Sequence, residues 1–147
     1  MRKAYFVITV LLLISVVLQF YFAALGVFGP QSEADELYIF HRIEGSVALP
    51  LLSLLAVLFA ALSRAGARTV LLSALPILLI AVQYLLFVIG GLAGWDDDNR
   101  TVGGAVILGL HAVNGLAIMG VAIALVTRAR ARAFGKDEGA GGAATPA

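Results

Sequence analysis

The sequence predicts an all-α protein, a bundle of four transmembrane helices with both termini on the cytoplasmic side. Three observations carry this prediction. Of the 147 residues, 61% are hydrophobic and only 13% are charged, whereas soluble domains are roughly 45–50% apolar and about 25% charged. Four apolar stretches reach the length needed to cross a bilayer, about 20 residues each. The basic residues gather on one side of those stretches. Strands with open edges cannot satisfy their backbone groups in lipid, so the spans are read as helices.

The first stretch covers residues 4–28, the second 37–62, the third 69–93 and the fourth 102–127. Arg2 and Lys3 precede the first, as in a signal peptide. Its apolar run is longer than the 7–15 residues of a signal h-region, and it contains Gln19 and ends at Gly29-Pro30, so it is read as a retained helix. Ser32 with Asp35 resembles a capping pattern that starts the second helix before the membrane does. Pro50 and Pro76 fall inside the second and third helices, and each is expected to kink its helix by removing a backbone donor. Trp95 stands where an interfacial aromatic anchor belongs, and Asn99 or Thr101 can cap the fourth helix. The transmembrane domain is thus expected over residues 1–132, with residues 133–147 a disordered tail rich in Gly and Ala.

Arg2, Lys3, Arg64, Arg68, Arg128, Arg130, Arg132 and Lys136 make up eight of the ten basic residues, and all fall on the side of the termini. The positive-inside rule makes that side cytoplasmic, and a multi-pass protein of the bacterial inner membrane is expected. The Arg128–Lys136 run then reads as an anchor beside anionic lipid, with no nucleic-acid partner. Asp96, Asp97 and Asp98 read as a solvated charge run. The absence of cysteine excludes disulfides, thiolate metal sites, a cysteine nucleophile and covalent haem attachment.

The chain reads as one hairpin used twice. Gln19 to Gly26 (QFYFAALG) matches Gln83 to Gly90 (QYLLFVIG), and His41 to Gly45 (HRIEG) matches His111 to Gly115 (HAVNG). The matched positions are the rare polar ones, for the chain has two histidines and three glutamines. By helical rise, both imidazoles lie about 13–15 Å from the starts of their helices, and Gln19 and Gln83 fall at a similar depth. Gln19, His41, Gln83 and His111 are therefore expected in one layer.

Imidazole is a standard axial ligand of haem iron, and helix bundles build cofactor sites from facing helices. A glycine one turn after each histidine, Gly45 and Gly115, leaves room on the same face. The pair is read as a site for haem b with His41 and His111 on the iron, and quinol or another redox partner exchanging electrons with it. Two other readings stay open. The histidines serve as interhelical hydrogen bonders in a structural or accessory subunit, whether in a homo-oligomer or in a larger membrane complex. Or Glu44, three residues after His41, is a proton-relay carboxylate, either in exchange with quinol or as the coupling group of a small transporter.

At HRIEG and HAVNG the chain resembles two groups of proteins. Over nearly its full length it is similar to small four-helix membrane proteins of high-GC Gram-positive bacteria, grouped as a domain of unknown function, with the same LH-x-x-NG pattern in the last helix. That resemblance implies a fold and a localisation without an activity. The His41-Arg42-x-x-Gly45 segment is also similar to helices of haem A synthase and other bis-histidine b-type membrane cytochromes. Ala112 stands where the second arginine would be, and the further ligand histidines of that synthase are missing. This second likeness implies a single haem at most and argues against that enzyme's activity.

Overall fold

The computed structural model describes residues 1–95 and 101–135. Helix α1 (Arg2–Phe28) passes through a 3-10 turn (Gln31–Glu33) into α2 (Ala34–Ile43). A π-helical turn (Glu44–Ala48) joins α2 to α3 (Leu49–Leu62), and α4 (Ala67–Leu92) and α5 (Val102–Phe134) follow. α2, the π turn and α3 run on as one rod, so the described residues hold four helices long and apolar enough to cross a membrane. The fold class is the one the sequence predicts, and no strand forms among the described residues.

The helices outrun the apolar stretches. α1 starts at Arg2, and α5 takes in the RARARAF segment as far as Phe134. Ala and Arg are strong helix formers, so helix continues where apolar sequence stops. The expected disordered tail lies, beyond Gly135, outside the described residues, as do Asp96, Asp97, Asp98, Asn99 and Arg100. The two expected caps part company. Ser32 is not the cap of α2, whose N-cap is Glu33 with no side-chain bond. Thr101 does cap α5: its Oγ1 accepts from the Gly104 N–H at 3.1 Å and donates to the Ala93 carbonyl at 2.7 Å.

Pro50 stands two residues past the end of the π turn, just after Leu49, whose N–H reaches back to the Glu44 carbonyl. The wider turn absorbs the donor that proline lacks, which is the form the expected irregularity takes here. Pro76 is buried within an unbroken α4.

The spans form a ring in chain order: α1 packs on α3, α3 on α4, α4 on α5, and α5 on α1. The second and fourth spans lie diagonally, with no close backbone approach among the described residues. The half of the bundle nearer the termini is tightly filled. Leu12, Val16, Leu49, Ala56, Ile80, Ile118, Ala122 and Leu125 form its core, and Tyr5, Ala60, Ala65 and Ala129 continue it to the terminal end. Tyr5 Oη pairs there with Ser73 Oγ at 2.9 Å. Outward faces carry large apolar side chains such as Leu54, Leu71, Leu78, Val88 and Val106. An apolar exterior around polar interior pairs suits lipid, which offers no partner to a stray polar group.

Candidate functional site

The far half of the bundle, away from the termini, is less completely filled. A cavity of about 420 Å³ opens between the four spans. Gln19, His41, Gly45, Gln83, His111 and Gly115 all line it. Chain direction gives the cavity a polarity. On the second and fourth spans, His41 and His111 come first, Gly45 and Gly115 lie one turn deeper, and Leu49 and Ile118 lie deeper still. α1 and α4 run the other way, with Val16 and Ile80 deepest and Ala23 and Phe87 towards the far end. The floor is therefore apolar and belongs to the core, and the two histidines stand in the layer farthest from it.

The imidazoles meet across the middle of the bundle. Their ring centroids are 6.0 Å apart with planes at 61°, although their helices are diagonal neighbours. On the first hairpin, His41 Nδ1 lies 3.0 Å from the Gln19 carbonyl oxygen. A carbonyl only accepts, so the proton sits on Nδ1 and Nε2 carries the lone pair. The Gln19 amide nitrogen approaches that Nε2 at 3.4 Å. Tyr38 meets the same ring edge-on at 6.2 Å.

His111 is held differently. Gln83 Nε2 donates to its backbone carbonyl at 2.9 Å, not to its ring. The ring rests against Phe87, centroid to centroid 4.8 Å. His111 Nδ1 and Gln19 Oε1 are buried atoms with no hydrogen-bond partner. Each such atom leaves an unmet demand, which in lipid is costly.

One turn deeper, each hairpin carries another polar pair. Ser15 donates to the Glu44 carboxylate. Asn114 Nδ2 donates to the Leu79 carbonyl at 2.8 Å and also to Gln83 Oε1. Ser15 precedes Gln19 by four residues, as Leu79 precedes Gln83, so the two networks use equivalent places. Glu44 does not line the cavity; its carboxylate is turned to α1.

The glycines are close-approach positions. A Cβ on Gly45 would stand 2.5 Å from Gln19 Nε2, and one on Gly115 would stand 3.2 Å from the Phe20 ring. Side chains of α1, which can rotate, therefore occupy the space over both.

Phe87 also lines the cavity and Tyr38 meets the His41 ring, and the sequence singled out neither. The signal was present for Phe87, which follows Gln83 by four residues and shares its face. Ser15 likewise stands one turn from Gln19.

Residues 19–90, just under half of the chain, match the model of a family of unknown function, DUF6220. This agrees with the resemblance to a domain-of-unknown-function family. The match takes in Gln19, His41, Glu44, Gly45 and Gln83 and ends before His111. No curated protein and no solved structure matches the chain.

Proposed function

We propose that this four-helix membrane protein binds one haem b in the cavity, with His41 and His111 as axial ligands, and passes single electrons through it. The observation that carries the reading is the 6.0 Å separation of the two rings across the cavity. An imidazole nitrogen sits about 2 Å from a first-row metal it ligates. Two rings on opposite sides of one iron therefore have centroids roughly 6 Å apart. The donor set supports the fit. His41 has its Nδ1 proton engaged by a backbone carbonyl, the usual way a ligating imidazole is oriented, and its Nε2 would exchange the Gln19 amide for the iron. His111 has a buried nitrogen without a partner.

Haem supplies one-electron redox chemistry when bound. The chain's own residues do the rest. Leu49, Ile80 and Ile118 close the floor against water, and Phe87 holds the His111 ring in place. Glu44, hydrogen-bonded to Ser15, is the nearby carboxylate for a proton relay. A quinol in the surrounding lipid is the electron donor of matching solubility. The one-sided basic residues favour termini in the cytoplasm of a bacterial cell, with the cavity then in the outer leaflet. The equivalent networks of Ser15, Gln19 and Glu44 and of Leu79, Gln83 and Asn114 favour a duplicated hairpin.

One observation favours the accessory-subunit reading instead: Gln19 alone meets both ring nitrogens of His41, as an interhelical hydrogen bonder would. The two readings separate on a reduced-minus-oxidised absorption spectrum of detergent-purified protein given haemin. The haem reading expects a sharp low-spin b-type signal that His41→Ala removes. A folded, colourless protein that refuses haemin leaves the histidines as hydrogen bonders.

A further inference from the structure

We infer that the cavity is loaded sideways, out of the hydrocarbon of the bilayer, through a gap between the second span and α4. What is loaded rests on the haem reading above; the route rests on how the spans pack. Towards the termini the ring is closed, because α3 packs on both α1 and α4. In the far half it is not. Of the other spans, α2 and the π turn approach only α1, and among the described residues their backbone comes near neither α4 nor α5. Side chains shut the remaining seams of the far half. Tyr38 lies over Gly26 between α2 and α1, where an added Cβ would stand 2.6 Å from its ring. Leu108 lies over Gly90 between α5 and α4, and Phe20 over Gly115 between α1 and α5, each at 3.2 Å from such a Cβ. The bundle is therefore C-shaped around the cavity, and the opening lies between the second span and α4.

The residues at the opening suit a mouth. Tyr84 and Phe87 line the cavity yet are 52% and 49% exposed, and Ser46 on the facing bank is also both lining and exposed. Helical geometry gives their directions. Leu79 and Gln83 face α5, through their bonds to Asn114 and to the His111 carbonyl. At about 100° per residue, Tyr84 stands on the other flank of α4, towards the second span. Glu44 is turned to α1, so Ser46, two residues on, stands on the flank away from α1. By helical rise Ser46 lies about 18 Å from the start of α2 and Tyr84 about 12 Å from the end of α4. Both positions fall inside a hydrocarbon core about 30 Å thick, so the mouth meets lipid, not water. A largely apolar macrocycle dissolves in that lipid. Its passage between two helices breaks no backbone hydrogen bond and asks only that side chains at the mouth rotate.

The chain has no cysteine, so a single introduced thiol takes one bulky maleimide. Ser46→Cys and Tyr84→Cys put that bulk on the two banks of the gap. Leu78→Cys puts it on an outward face of α4, away from the cavity lining. Each full-length variant is reconstituted in phosphatidylcholine vesicles, and uptake of haemin dissolved in the same vesicles is followed by absorption. Modification of Ser46→Cys or Tyr84→Cys is expected to slow uptake about tenfold, and modification of Leu78→Cys to leave it unchanged. The same modification made after loading is expected to keep the low-spin spectrum, because it shuts the mouth and spares the site. Unchanged uptake after modification on both banks overturns the lateral route and leaves the haem reading standing. So does a modification that strips haem already bound, or one that slows the Leu78→Cys protein equally. Refusal of haemin by the unmodified wild type overturns the haem reading and this inference with it.

Discussion

In the first hairpin, Gln19 engages the ring of His41: its carbonyl takes the Nδ1 proton and its amide covers Nε2. In the second, Gln83 bypasses the ring and bonds the backbone of His111, leaving that imidazole to lean on Phe87 with a buried nitrogen unpartnered. The residue types and spacings are alike, yet the two histidines are fixed to different degrees. The difference follows from what stands one turn away. Asn114 draws the Gln83 carbonyl oxygen, whereas Glu44 is occupied by Ser15 and leaves Gln19 for the histidine. A side chain's orientation is decided by its competitors as well as by its own spacing.

This asymmetry gives the largest expected effect. An imidazole whose tautomer and direction are already set loses less on ligating a metal than one that must first be oriented. With haemin supplied, His41→Ala is expected to leave no haem with the purified protein. His111→Ala is expected to retain a measurable high-spin fraction held by His41 alone. Haem content and spin state are read by absorption on matched protein. Equal losses in the two variants would mean that the preset tautomer of His41 contributes nothing.

A second comparison sets Asn114 against Glu44. Asn114 ties α5 to α4 through two acceptors, and Asn114→Leu removes both bonds, at a cost of about 1–2 kcal/mol. Glu44→Gln keeps an oxygen that can accept from Ser15 and removes an ionisable group from the membrane span, so its effect on stability is expected to stay within about 0.5 kcal/mol. Unfolding in a denaturing-detergent titration measures both. A larger loss from Glu44→Gln than from Asn114→Leu would make the carboxylate a structural element of the first hairpin and weaken its assignment to proton transfer.

The four spans and the shared layer of Gln19, His41, Gln83 and His111 were legible because hydropathy and helical rise are local properties of the chain. The meeting of His41 and His111 was not fixed by the same arithmetic. It depends on the second and fourth spans lying diagonally in the ring, and pairwise spacing does not encode that. The π turn at Glu44–Ala48 was also beyond reach. Pro50 announces an irregularity, but whether a helix answers with a kink or a wider turn depends on its neighbours. The role of Phe87 was hidden by composition, since an aromatic residue on a membrane helix is ordinary.

The smallest expected effect concerns how each histidine helix begins. α2 enters from a 3-10 turn with Glu33 at its N-cap and no side-chain bond, so Ser32→Ala removes nothing the helix uses and should change stability by less than about 0.5 kcal/mol. α5 begins at Thr101, whose hydroxyl accepts from the Gly104 N–H and donates to the Ala93 carbonyl at the end of α4. Thr101→Ala is expected to cost about 1 kcal/mol in the same titration. That cost should fall on the second hairpin, because the lost bond to Ala93 links the end of α4 to the start of α5. Amide exchange would then rise at the start of α5 and leave α2 unchanged. His111 lies on the helix that Thr101 starts, and its ring is the less firmly held of the two. If Thr101→Ala also weakens haemin binding, the positioning of His111 depends on that cap, and the two hairpins differ in how they are anchored as well as in how they hold their rings.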